Sequence, residues 1–158
     1  MLARQDRIRR RLAERIRITP VRRRHRAWSN DMKQIVVTRV AAYSAGSECA
    51  EVTLRCGEHE ITVFSFGGTA RVNDIVRTPV SAIDCDVRAA CLADWPDDAK
   101  RAASRQWIGK TANPYGYRGC GQVVDREQGL IDVVGFVIDA GELPCDGAVE
   151  FECLRLDL

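Results

Sequence analysis

The sequence predicts a mainly β domain: a small closed or partly open β-barrel with one inserted α-helix near residues 95–108. Three observations indicate this fold class. Apolar and polar residues alternate along short segments, turn residues separate those segments, and a single helical pattern interrupts them. With 158 residues, 46% of them hydrophobic, the chain is long enough to bury the core of one domain.

The first strand signals predict a hairpin. Residues 33–43 are rich in β-branched side chains, and residues 49–56 alternate between apolar and polar positions. Residues 60–66 return after a turn that begins at Gly57. The inward face of the middle segment is predicted to consist of Ala50, Val52, Leu54 and Cys56.

The later strand signals are less regular. Residues 75–88 are extended but contain Pro79, which lacks the backbone N–H of a sheet ladder. This segment is therefore an edge strand, a bulge or two short strands. Further strands are expected over residues 121–126, 130–139 and 148–156.

The predicted helix lies between these two groups of strands. Asp94 is expected to cap it, Pro96 suits its first turn, and Asp97 and Asp98 favour the positive end of the helix dipole. Its apolar stripe is small and consists mostly of alanine, so we expect the helix to plug or cap another part of the protein and not to anchor a helix bundle.

This order of short strands with one inserted helix is similar in architecture to the OB-fold, although no particular residues identify a family. Two packed half-barrels are the alternative within a single domain of residues 32–158. A weak internal sequence repeat favours that alternative, because Phe64 precedes Asp74 by ten residues and Phe136 precedes Asp146 by ten.

Charge divides the chain into two parts. Residues 1–31 contain eleven arginines and three acidic residues, a net charge of +8, whereas residues 32–158 contain 13 Lys/Arg and 19 Asp/Glu, a net charge of −6. This asymmetry predicts a basic N-terminal extension, either disordered or an upstream in-frame stretch ahead of a start at Met32.

The extension also has two functional interpretations. It is a flexible arm that neutralises phosphates or an acidic surface, with Arg22, Arg23 and Arg24 as its densest basic group. Alternatively, part of it is a short helix with Ile8, Leu12 and Ile16 on one stripe.

Several functional classes lack their sequence signals. No apolar run approaches the ~18 residues of a membrane-spanning helix, and no continuous apolar segment resembles a secretory signal. The Gly109-Lys110-Thr111 run lacks the rest of a phosphate-binding loop. These absences favour a cytoplasmic protein without membrane association and a binding protein over an enzyme.

The seven cysteines include no CxxC pair. Cys56 and His59 form one C-x-x-H pair, but no second pair accompanies it, so neither a metal site nor a cofactor is expected. Most of the cysteines are interpreted as small apolar fillers. Asp84 with Asp86, and Glu150 with Glu152, each share a strand face, and the solvated side of a strand explains such pairs more simply than acid/base chemistry does.

The candidate binding surface is a glycine-rich loop predicted over residues 109–121. With its preceding residue Trp107, it groups aromatic and cationic side chains that suit a protein interface or a base-stacking platform. Structural packing of the rings is the simpler alternative. The residues assigned to this surface are Trp107, Lys110, Tyr115, Tyr117 and Arg118.

Phe64 and Phe66 add a second hint. They share one face of the third strand, opposite Ile61 and Val63, and an apolar patch there would mark a self-association surface. The functional hypothesis is therefore a non-enzymatic interaction domain that binds a protein partner or itself. The alternative is a nucleic-acid-binding OB-like protein that uses the arginine-rich arm and the aromatic loop, although the −6 charge of residues 32–158 argues against it.

Overall fold

The structure, a computed structural model, describes residues 34–158. Within this range the chain forms ten β-strands and one short α-helix. In chain order they are β1 (Ile35–Ala42), β2 (Cys49–Cys56), β3 (His59–Phe66), β4 (Ile75–Val76), β5 (Val80–Ala89), α1 (Asp97–Ala103), β6 (Trp107–Lys110), β7 (Tyr117–Asp125), β8 (Leu130–Val133), β9 (Phe136–Asp139) and β10 (Ala148–Asp157). The prediction of a mainly β domain with a small closed barrel and one helix is confirmed.

Strands β1, β2 and β3 form an antiparallel meander. The β2–β3 hairpin pairs Cys56 with His59 across the turn, as predicted. The alternation of β2 is also confirmed, because Ala50, Val52, Leu54 and Cys56 are all buried. On β3, Ile61 and Val63 point into the same core.

The barrel is closed by β5, β10, β7, β8 and β9. Neighbouring strands pair antiparallel except at the closing contact, where β5 and β9 run parallel through Val80 and Ser81. Pro79 lies between β4, which ends at Val76, and β5, which begins at Val80, so residues 75–88 contain two strands, one of the predicted alternatives.

Strand β10 joins the barrel to the meander. Its first half pairs with β5 on one side and with β7 on the other. Near its end, Asp157 aligns with Phe64, and the N–H of Leu158 donates to the Phe64 carbonyl at 2.8 Å. Side chains from the meander and the barrel therefore share one hydrophobic core, in which Leu54, Phe136 and Leu156 are fully buried.

The predicted helix boundaries need correction at both ends. The helix covers only Asp97–Ala103, Pro96 is its N-cap residue, and no side chain makes a capping hydrogen bond, so the predicted cap at Asp94 is wrong. Trp107 and Ile108 belong to β6 instead, because their backbones pair with Cys120 and Gly119 of β7.

The predicted strand over 130–139 is two strands, β8 and β9, joined by a tight turn. Val134 and Gly135 occupy this turn with positive φ angles of 50° and 102°. The predicted extension 1–31 and its arginines lie outside the described residues. The domain boundary at residue 32 and the half-barrel alternative stay predictions.

Candidate functional site

The segment predicted as a loop over 109–121 is mostly a β-hairpin. Strands β6 and β7 pair antiparallel from Trp107 with Cys120 to Lys110 with Tyr117, leaving residues 111–116 as the connection. The prediction of one continuous loop is wrong because its glycines permit close strand pairing. A Cβ at Gly119 would overlap the carbonyl oxygen of Trp107, so β6 can approach β7 this closely only opposite glycine.

This hairpin extends an outer face built by β5, β10 and β7. In one row across the strands, Asp86 on β5 aligns with Glu152 on β10, and Glu152 aligns with Arg118 on β7. In the next row, Arg88 aligns with Glu150. Directly opposite side chains lie on the same face of a sheet, so the pairing register gathers five charged residues on one surface.

A cleft of about 210 Å³ opens on this face. Its lining residues are Asp86, Arg88, Trp107, Arg118, Gly119, Glu150, Phe151 and Glu152. Trp107 forms its apolar edge: the side chain is 45% exposed, and its ring lies over Gly109, where a Cβ would stand 3.4 Å from the Cζ3 atom. The cleft thus combines an exposed indole with three carboxylates and two guanidinium groups.

The charges in the cleft are unevenly paired. Arg88 Nη2 lies 2.7 Å from Glu150 Oε2 in an exposed salt bridge. Among the described residues, Asp86, Glu152 and Arg118 make no salt bridge or side-chain hydrogen bond. The row that contains them therefore keeps one excess negative charge and three groups available to a ligand.

Helix α1 covers a cysteine on the same face, since Cys120 is aligned with Glu150 and with Trp107. The Cys120 thiol donates to the carbonyl oxygen of Ala103 at 3.4 Å. Burial is the largest cause that raises the pKa of Cys120, and Coulombic interaction with Glu150 adds to it. This thiol is completely buried, so it fills space beneath the helix as the sequence interpretation expected.

Tyr117, predicted as part of the exposed binding surface, is buried; its role in partner binding stays a prediction. It is only 3% exposed, and its hydroxyl oxygen accepts a hydrogen bond from the backbone N–H of Thr62 at 2.7 Å. Burial raises the pKa of this phenol, while the hydrogen bond from Thr62 opposes the rise. Tyr117 therefore links β7 to β3.

Tyr115 belongs to a separate aromatic cluster. Its ring and that of Tyr43 both lie 6.2 Å from the ring of Phe64, and the two hydroxyls form a short hydrogen bond. Burial and the hydroxyl of Tyr43 raise the pKa of Tyr115. The guanidinium of Arg155 lies 4.6 Å from the centre of the Phe64 ring and is held by a bidentate contact with Asp157.

The remaining predicted residues are dispersed. Lys110 is exposed at the end of β6 and does not line the cleft. Phe66 is 68% exposed, whereas the aromatic cluster partly covers Phe64. The two phenylalanines therefore differ in accessibility, and only Phe66 offers an open apolar surface. Arg22, Arg23 and Arg24 precede the described range.

Among residues 34–158, no three or more His, Cys, Asp or Glu side chains are arranged to hold a metal ion. In the same range, no helix is long and apolar enough to cross a membrane.

Comparisons with models of known families, with curated proteins and with solved structures give no match. The cleft must therefore be interpreted from its own chemistry. Sequence reasoning found Trp107 and Arg118, and it placed Glu150 and Glu152 on one strand face. It did not predict that Arg88 lies in the cleft or that Asp86 lies opposite Glu152, because these residues meet only through the pairing of β5 with β10.

Proposed function

We propose that residues 34–158 form a non-enzymatic interaction domain and that the outer-face cleft holds a segment of a protein partner. The observation that carries the proposal is the exposed Trp107 beside a row of charged groups that lack partners among the described residues. Tryptophan and arginine are enriched at the energetic centres of protein interfaces.

The charge pattern favours a partner segment that contains lysine or arginine. Asp86 and Glu152 are directly opposite each other on neighbouring strands, and like charges in this arrangement repel. A cation bound between the two carboxylates would relieve that repulsion. Trp107 would then contact the apolar stem of the same side chain or a neighbouring residue, because long basic side chains pack along apolar surfaces.

The same charges argue against a nucleic acid as the occupant. Three carboxylates outnumber the two guanidinium groups in the cleft, and phosphate binding requires a basic surface. An aromatic ring alone would stack a base, but the adjacent carboxylates would repel the backbone. The protein-partner hypothesis therefore accounts for both the ring and the acids.

Fluorescence anisotropy with a labelled hexa-arginine peptide tests this proposal at physiological ionic strength. We expect the full chain to bind the peptide and the D86N/E152Q variant to bind roughly fivefold more weakly, because two exposed charge contacts of up to about 1 kcal/mol each are lost together. W107A is expected to weaken binding as well, through lost apolar contact.

The matched control is E58Q/E60Q, which also removes two negative charges, but from the exposed β2–β3 hairpin. Its affinity should stay within about twofold of the native protein, because a charge outside the cleft acts only through a screened field. Equal weakening by both double variants would mean general attraction to an acidic surface and would reject the cleft as the binding site.

A further inference from the structure

Two cysteines face each other directly beneath the outer-face cleft. Cys85 on β5 is aligned with Cys153 on β10, one position from the Asp86–Glu152 pair. The register is continuous from Val149–Ala89 to Cys153–Cys85. Because opposite residues share a sheet face, both thiols lie on the inner side of the sheet, where they pack in the core.

The backbone hydrogen bonds between β5 and β10 define which type of antiparallel pair the two cysteines form. The N–H of Ala90 donates to the carbonyl of Ala148 at 3.0 Å, so this is a hydrogen-bonded pair. Hydrogen-bonded and non-hydrogen-bonded pairs alternate along an antiparallel ladder. Counting along the continuous register makes Cys85–Cys153 a non-hydrogen-bonded pair, in which side chains approach most closely.

Backbone spacing in such a pair suits a disulfide. Non-hydrogen-bonded antiparallel pairs have Cα atoms about 4.5 Å apart, and disulfides span Cα separations of about 4.4–6.8 Å. The bond would therefore require side-chain rotation and little movement of the backbone. We propose that Cys85 and Cys153 are a redox site that forms an intramolecular disulfide on exposure to a peroxide.

The two thiols differ in access. Cys85 is partly exposed, whereas Cys153 is 2% exposed. Cys85 is therefore the sulfur that meets the oxidant, and Cys153 is the sulfur that resolves the product. The remaining five cysteines of the described chain occupy other strands and loops and are not aligned with Cys85 in the sheet register.

The reaction balances with one molecule of hydrogen peroxide. The Cys85 sulfur attacks a peroxide oxygen, the O–O bond breaks, and the departing oxygen takes a proton and leaves as water, giving a sulfenic acid. The Cys153 sulfur then attacks the Cys85 sulfur, the S–O bond breaks, and a second water leaves. Two thiols lose two protons and two electrons, and the peroxide is reduced to water.

Burial sets the rate of the first step. Desolvation, with smaller contributions from Cys153 and Asp86, raises the pKa of Cys85 to about 12. Near neutral pH only a small fraction of Cys85 is in the reactive thiolate form. While the pH is below the pKa, that fraction rises roughly tenfold for each unit of pH increase. Disulfide formation should therefore accelerate from about pH 7 to about pH 9.

Peptide mapping of the full-length protein tests the proposal. The protein is treated with hydrogen peroxide, unreacted thiols are blocked with iodoacetamide, and the digest is analysed by mass spectrometry without reduction. We expect a cross-linked peptide containing Cys85 and Cys153 as the main disulfide product, and we expect dithiothreitol to release it. This readout requires no binding partner, so it is independent of the proposed interaction function.

Cys145 provides the matched control because it is partly buried and lies in a different segment. C145S should keep the cross-link, while C85S and C153S should lose it, with circular dichroism confirming that each variant is folded. Oxidation of Cys85 to sulfinic acid without a cross-link would overturn the proposal. Predominant pairing of other cysteines, such as Cys91 with Cys120, would overturn it as well.

Discussion

Single residues determine whether the outer-face cleft exists. Gly119 leaves room for β6 to lie against β7, and a Cβ at this position would also stand 3.1 Å from Cε1 of Phe151. Gly109 leaves room for the Trp107 ring on the same strand, β6. In the sequence both glycines indicate a loop, whereas in the structure both permit close packing within a sheet.

The hydroxyl of Tyr117 provides a stability prediction at this scale. Y117F keeps the buried ring but leaves the N–H of Thr62 without the oxygen that accepts its hydrogen bond at 2.7 Å. Removing one partner of such a bond costs about 1–3 kcal/mol. We expect a loss of this size in the free energy of unfolding, measured by urea denaturation.

Y43F is the control, since Tyr43 is 56% exposed and its hydroxyl can be replaced by water. Its free energy of unfolding should change by less than about 0.5 kcal/mol. Equal losses in the two variants would show that Tyr117 does not bridge β7 and β3 in the way described.

At the scale of elements, the β8–β9 turn depends on Gly135. This residue has a φ of 102°, and a Cβ there would stand 2.5 Å from Sγ of Cys56. G135A therefore combines backbone strain with a steric overlap in the core, and we expect it to lower the free energy of unfolding by at least about 2 kcal/mol. Urea denaturation measures this change.

G141A separates the two causes. Gly141 has a φ of 79°, but a Cβ there would contact nothing within 4 Å. Only the backbone cost of about 1 kcal/mol for a Cβ in the left-handed region is expected. If G135A lowered the free energy of unfolding no more than G141A does, the overlap with Cys56 would make no contribution to stability.

The elements also show how far sequence patterns reach. Strands β2 and β3 were predictable because one face is buried and the residues alternate accordingly. Residues 130–139 appear as one apolar run because both halves of the β8–β9 hairpin are buried. The turn between them contains Val134, a β-branched residue that rarely adopts positive φ, so turn preferences did not indicate it.

At the scale of the whole molecule, the candidate site depends on pairings between distant segments. Asp86, Trp107 and Glu152 come from different strands, and β10 joins the barrel strands by pairing on both of its sides. The alternation along a strand shows which residues share a face but not which strand lies beside it. The sequence alone therefore does not predict this cleft. Of the residues predicted around Trp107, only Arg118 lines the cleft with it, and the carboxylate wall was not predicted.

The nucleic-acid alternative is tested with the whole chain. Residues 32–158 carry 19 acidic against 13 basic residues, so a version that starts at Met32 should not retard single-stranded DNA in a gel. R22Q/R23Q/R24Q in the full-length protein measures what the arginines contribute to any salt-sensitive retardation. Tight DNA binding by the version that starts at Met32 would favour the alternative function.

The most direct test of a protein-binding cleft is an NMR titration of ¹⁵N-labelled full-length protein with hexa-arginine peptide. We expect saturable shift changes at the amides of Asp86, Trp107, Arg118 and Glu152, while those of the β2–β3 hairpin at Glu58 and Glu60 stay unchanged. Changes spread evenly over all acidic positions, or confined to residues outside the cleft, would contradict the proposed function.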